Sequence, residues 1–192
     1  AGMTVKEQLD EISKQTHDLV TTQYNTYNRS FLPTLKHNQL IIVTEYEKLT
    51  EEQSTFVDTY FQREVYPVLT PMAVDSSRPF PLIRNKSLNI AALLSDKKKK
   101  DMLDFATVQV PSVLPRIVEI PSENADTLTI ILLEQIIEKN IQKLFLNYKV
   151  VSAAPYRVMR NADLSIDEDE AADLLVEIEK QLKKRQWGEA IR

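Results

Sequence analysis

The chain has 192 residues, 43% of them hydrophobic and 27% charged, with a formal net charge of −4. That length suits one domain, or one and part of another, with a sizeable core; the negative balance gives no global reason to bind nucleic acid. With no cysteine and only two glycines, disulfides and thiolate metal sites are excluded, and so are the glycine-rich loops that cradle phosphates.

Ala1-Gly2 before Met3 reads as a tag remnant. Residues 4–31 then read as one long helix. Val5, Leu9, Ile12, Thr16 and Leu19 recur at steps of four and three, and Tyr24, Tyr27 and Phe31 extend the stripe. Such a helix would span roughly 40 Å. Its start shows no convincing cap, Pro33 is expected to end it, and its narrow apolar stripe needs a partner.

Leu40 to Val43 is expected to be a strand. Thr50 and Gln53 have capping-box spacing and open a second helix, whose buried face is expected to be Phe56, Val57, Tyr60, Phe61 and Val65, ending before Pro67. The following stretch, VYPVLTPMAVDSSRPFP (65–81), carries four prolines and no glycine. Proline fixes φ and pushes the preceding residue toward extended geometry, so this connector should run extended and, being apolar, packed.

Beyond it the period changes to two. Residues 87–94, 105–110, 116–120 and 127–132 read as strands, punctuated by Pro111, Pro115 and Pro121. Leu133 to Phe145 reads as a helix with Ile136, Ile137, Ile141, Leu144 and Phe145 inward. Lys149 to Met159 returns to strand, broken or edged at Pro155. A last helix is capped by Ser165 and Glu168, with acids in its first turn and bases in its last, in line with the macrodipole. Gly188 stands where a C-terminal cap is expected, and Glu189 to Arg192 looks like the start of another strand.

Few residues suggest chemistry. The acids Asp167 to Glu170 read as a helix N-terminus rather than a metal site. Lys97 to Lys100 read as a solvated hairpin tip. His17 and His37 stand far apart without a second ligand at helix spacing. No arrangement of nucleophile, base and acid stands out. Arg157 and Arg160 flank Met159 in an apolar strand and are the candidate anion contacts; in a regular strand their side chains would point to opposite faces.

Several segments nevertheless look familiar. YFQREVYPVLTPMAVDSSRPFPLIRNKSLNIAALL (60–94), VPSVLPRIVEIP (110–121), LLEQIIEKNIQKLF (132–145) and YRVMRNADLSIDEDEAADLLVEIEKQLKKRQWGEAIR (156–192) resemble, in order, the middle of bacterial polyphosphate kinase of the histidine-autophosphorylating type. Met72, Met159 and Trp187 depart from that family's usual pattern. The first fifty residues resemble, more weakly, the closing helices of its N-terminal helical domain.

The resemblance implies an α+β fold: long N-terminal helices followed by a mixed β-sheet domain packed with helices. Residues 1–66 would end the helical domain and 67–192 would be the head, or middle, domain, with the chain cut at both ends. The full-length parent would transfer the ATP γ-phosphoryl group reversibly to polyphosphate through a phosphohistidine, with Mg²⁺. The catalytic histidine and metal-binding residues would lie elsewhere, so this chain is expected to be inactive, to hold no cofactor and to serve as scaffold and dimerisation unit. Expected partners are the remaining domains of the polypeptide, a second copy in the full-length enzyme and polyphosphate, with Arg157 and Arg160 as contacts; nucleic acid is not expected. The parent is expected in the cytoplasm, with membrane association allowed for the full-length enzyme and no transmembrane span. The rival expectation is a stand-alone oligomerisation or anion-binding regulatory module.

Overall fold

The structure, a computed structural model, describes residues 2–74, 81–96, 103–122, 124–161 and 188–192. It is α+β, as expected, and its first element is a long helix with three parts. Helix α1 runs Val5–Thr26, a π-helical turn follows over Tyr27–Phe31, and α2 covers Leu32–His37. Two expectations are corrected here. The helix does have a cap: Thr4 Oγ1 accepts from the Glu7 amide (3.3 Å) and Glu7 Oε2 accepts from the Thr4 amide (2.7 Å), a reciprocal capping box. Nor does Pro33 end it. The π turn, in which the Leu32 amide reaches back to Tyr27 O, rearranges the ladder just where proline supplies no donor, and the helix continues to His37.

The apolar stripe of α1 is bare, with Val5, Leu9, Ile12 and Leu19 each more than 60% exposed. Asn38 and the left-handed Gln39 (φ 61°) turn the chain into β1, Leu40–Val43. With no glycine at this turn, Gln39 meets the steric cost of that conformation while its carbonyl accepts from Leu128 (2.8 Å) and its side chain from the Thr127 hydroxyl (2.9 Å).

Helix α3, Glu51–Tyr60, carries the expected Thr50–Gln53 capping box and passes into a π turn over Phe61–Val65 and a 3-10 turn over Tyr66–Val68. The helical path therefore includes Pro67, which sits in the first positions of the 3-10 turn, where a missing amide donor costs nothing. Gln53, Val57, Phe61 and Val65, spaced by four, are buried. Steps of four in an α-helix drift by about 40° each; the wider π turn offsets that drift and keeps Val65 on the core side. Phe56, expected inside, is 39% exposed, one position off the stripe.

Among the described residues seven strands form two sheets. Strand β2 is Pro71–Val74, β3 Leu88–Asp96, β4 Leu103–Gln109, β5 Ile117–Ile120, β6 Leu128–Leu132 and β7 Tyr148–Arg157. Helix α4, Leu133–Asn140, follows β6 and tightens into a 3-10 turn over Ile141–Leu144. The first sheet has the order β1-β6-β5, with β1 parallel to β6 and β5 antiparallel to it; the second, β2-β4-β3-β7, is antiparallel throughout. Of the proline stretch, the described part after Val68 is extended, as expected, and β2 pairs with β4.

Strand β7 is continuous through Pro155, which pairs with Ile90 and occupies a sheet edge. It is edged rather than broken, since an edge strand can present a missing donor outward. Between Leu93 and Leu94 the register shifts past Val151, a bulge.

One core joins both sheets and both inner helices. Ile90, Ala92 and Leu94 of β3 with Ala106 and Val108 of β4 make one face. Val57, Phe61 and Val65, then Leu133, Ile136, Ile137 and Ile141, cover it from α3 and α4 and their extensions, with Val118, Ile120 and Ile131 of the first sheet alongside. The helix expected over 165–185, the acids 167–170 and the lysines 97–100 lie outside the described residues.

Candidate functional site

The two arginines singled out in the sequence sit at one end of the antiparallel sheet, where β3 begins and β7 ends. Arg157 is the last residue of β7, opposite Leu88, and its side chain is exposed. The strand stops there, so alternation does not relate it to Arg160 and the opposite-face expectation does not apply.

Arg160 sits at the centre of a clamp. Its Nε donates to Ile83 O (3.0 Å), its Nη1 to Gly188 O (2.9 Å), and its backbone amide to Asn85 Oδ1 (3.0 Å). Around it the backbone of 159–161 pairs antiparallel with 189–192: Met159 donates to Arg192 O (2.8 Å), Ile191 to Met159 O (2.8 Å) and Asn161 to Glu189 O (2.7 Å). Where a strand start is expected at Glu189, the structure has an isolated antiparallel bridge between Arg160 and Ala190. Lys86, held at φ 61°, donates its amide to Val158 O (2.8 Å) and ties in the segment before β3.

Gly188 allows the close approach. A Cβ there would collide with the carbonyl oxygen of Asn161. The helix that Gly188 is expected to cap lies outside the described residues; the need for glycine that the structure shows here is steric.

Three segments, 81–89, 156–161 and 188–192, are thus stitched together. They carry five cationic side chains, Arg84, Lys86, Arg157, Arg160 and Arg192, against one carboxylate, Glu189. Below them Tyr156 shares a hydrogen bond with the fully buried Thr107 (2.8 Å), and burial pushes its phenol above the ordinary range. The sequence pointed to Arg157 and Arg160 but not to Asn85, Lys86 or the role of Gly188. The available signal was the isolated glycine in a chain almost devoid of them.

A cleft elsewhere on the molecule has the opposite sign. It measures about 390 Å³ and lies between the turn after β1 and helix α4, lined by Glu45, Tyr46, Glu47, Glu138 and Lys139 among others. Lys139 Nζ contacts Glu47 Oε1 (3.1 Å) and lies 4.7 Å from the centre of the Tyr46 ring, a cation–π arrangement. Burial, with the Glu47 charge adding to it, raises the Glu138 carboxyl above its usual value. Elsewhere, Arg116 Nε donates to both carboxylate oxygens of the buried Glu134 (3.1 and 3.2 Å), and that contact raises the arginine above its ordinary value. This pair connects the residue just before β5 to the start of α4.

His17 and His37 stay apart on the long helix, and the His17 ring meets Ser13 O of its own turn (2.8 Å). Among the described residues no three His, Asp or Glu side chains converge to hold a metal ion, so no Mg²⁺ site is assigned to them. Among them, too, no helix is long and apolar enough to cross a membrane.

Comparison with known proteins places this architecture. The family model described as the polyphosphate kinase middle domain matches residues 52–192. A polyphosphate kinase of Halalkalibacterium halodurans is 46% identical over the whole chain, which covers 27% of that relative; one of Bacillus anthracis is also 46% identical, with 28% of it covered. The chain therefore spans about a quarter of the length of these relatives. A crystal structure of polyphosphate kinase from Porphyromonas gingivalis shares the fold over 78% of this chain and 25% of its own, with a TM-score of 0.70 and 23% identity. On this evidence the chain belongs to the polyphosphate kinase family, and residues 52–192 correspond to its middle domain.

Proposed function

We propose that this chain is the scaffold and dimerisation part of a longer polyphosphate kinase, whose complete form moves the γ-phosphoryl group of ATP reversibly onto the end of a polyphosphate chain through a phosphohistidine. The observation that carries this reading is the 46% identity across the whole chain to polyphosphate kinases about four times as long. In such an enzyme ATP would supply the phosphoryl group and Mg²⁺ would neutralise its developing charge. Both would be handled by residues outside this chain, in a cytoplasmic protein.

What this chain offers is a rigid body. Its core joins α3, α4 and both sheets. In this reading residues 1–66 close a helical domain and 67–192 form the head, while 40–66 lock the two together. Strand β1 pairs with β6, and Val57, Phe61 and Val65 enter the common core. Dimerisation would supply a second copy for the complete enzyme.

The test compares the 192-residue chain with the complete gene product in an assay of ATP-dependent polyphosphate synthesis. Turnover by the complete protein and none by the shorter chain is the expected result. Turnover by the shorter chain alone, or none by the complete protein, would overturn the reading.

One observation favours a second reading, a self-sufficient oligomerisation module: the bare stripe Val5, Leu9, Ile12 and Leu19 on α1, whose spacing suits a helix–helix seam. Sedimentation of the 192-residue chain tests whether this stripe is a seam. Stable oligomers that Leu9→Glu and Ile12→Glu dissolve would support the module.

A further inference from the structure

We infer that the clamped end of the antiparallel sheet is a docking face for a linear phosphate polymer, with Arg84, Lys86, Arg157 and Arg192 as its contacts and Arg160 as the positioning residue that holds them together. This inference rests on the proposed function, because that reading supplies polyphosphate as the polyanion. Its basis is local. A chain with net charge −4 collects five cations and a single carboxylate on three short segments that are hydrogen-bonded to one another.

The placement is built, because no two of the three segments are neighbours in the sequence. Arg157 pairs with Leu88, two residues from Lys86; the Lys86 amide binds Val158 O; Arg192 O accepts from Met159. Arg84, Lys86, Arg157 and Arg192 are exposed, whereas Arg160 is partly buried and has committed Nε and Nη1 to backbone carbonyls. Its charge adds to the local field, but its geometry serves the backbone. A row of exposed cations on a fixed backbone attracts a flexible polyanion through the summed field, without needing a pocket.

The face favours a polymer of phosphate over a nucleic acid. Single strands with bases bind by stacking on exposed aromatic rings. Among the described residues of this face the aromatic ring, Tyr156, is half-buried and hydrogen-bonded to Thr107. The acidic cleft beside α4, with Glu45, Glu47 and Glu138 in its lining, would repel the same ligand. It therefore provides an internal control.

The experiment measures binding of end-labelled linear polyphosphate to the 192-residue chain by fluorescence anisotropy over a salt series. A triple variant, Arg84→Gln, Lys86→Gln and Arg157→Gln, is compared with Lys139→Gln from the acidic cleft. All four side chains are exposed, and circular dichroism checks that each variant folds. Binding that weakens as salt rises, falls about ten-fold or more in the triple variant and is unchanged in Lys139→Gln is the expected result. No binding at low salt, equal binding by the triple variant, or tighter binding of single-stranded DNA of matched charge would overturn the inference. Arg160→Lys should weaken binding and also speed amide exchange at Met159 and Ile191; weakened binding without that exchange change would remove its positioning role. The same triple variant in the complete enzyme separates the two proposals. A complete enzyme that makes polyphosphate while the variants bind normally would end this inference and leave the proposed function standing, whereas a complete protein with no synthesis would end the proposed function.

Discussion

Gly188 shows how one missing Cβ organises a site. The carbonyl of Asn161 occupies the space a side chain would need. Gly188→Ala should therefore push 188–192 away from 159–161 at a cost of about 1–3 kcal/mol, as overpacking does. Hydrogen exchange at Met159, Asn161 and Ile191 reports it directly; unchanged protection there would refute the steric account. Glu138 makes a different residue-scale prediction. Its folded-state pKa is raised by burial and by Glu47. The folded protein therefore holds that proton more tightly than the unfolded chain does. The stability this brings is complete below the ordinary value of 4.5 and is lost as pH rises through the higher folded value. Glu138→Gln removes the cost of ionising, so urea melts should show the variant more stable than the parent near neutral pH, with the gain vanishing in acid. A variant equally stabilised at both pH values would break the link to ionisation.

At the scale of elements, strand β7 is ten residues long, lies at a sheet edge and carries exposed Val151, Ser152 and Ala154. Such an edge invites another chain to pair with it. Two features blunt it: Pro155, which has no amide to offer, and the bulge at Val151. Pro155→Thr should restore a donor and promote concentration-dependent association, read by light scattering; a variant that stays as dispersed as the parent would show that the proline has no such role. The strands and helices themselves were largely legible, because the period of two over 87–94 and the four-residue spacing of Val57, Phe61 and Val65 are direct imprints of pleat and helix. The capping box at Thr4 and Glu7 was equally present in the sequence, as a threonine-to-acid spacing of three. The π turns were not legible, since nothing in YNRSF or FQREV distinguishes five residues per hydrogen-bonded ring from four. Phe56 failed for a related reason: apolarity alone cannot say which of two adjacent residues a drifting stripe will bury. Sheet order and the Arg160 clamp depend on contacts between segments dozens of residues apart, which no local pattern encodes.

For the whole molecule, the decisive fact is that residues before and after the proline stretch share one core. Phe61, fully buried, lies in the turn that continues α3, yet it shares one core cluster with residues of β3 and β4. Phe61→Ala should cost about 3–5 kcal/mol and lower exchange protection in β3 and β6 together, while α1, with no buried residue, keeps its own rates. Protection lost in α3 alone would mean that the two halves unfold separately. The parallel pairing of β1 with β6 adds a constraint of timing. Leu40 meets Leu128, so during synthesis the first strand has no partner until many more residues have left the ribosome. At about 5–20 residues per second, that wait is on the order of ten seconds. Through all of it, Leu40 to Val43 and the greasy side of α3 must avoid strangers, which makes the newborn polypeptide, rather than the finished one, the form most dependent on chaperones.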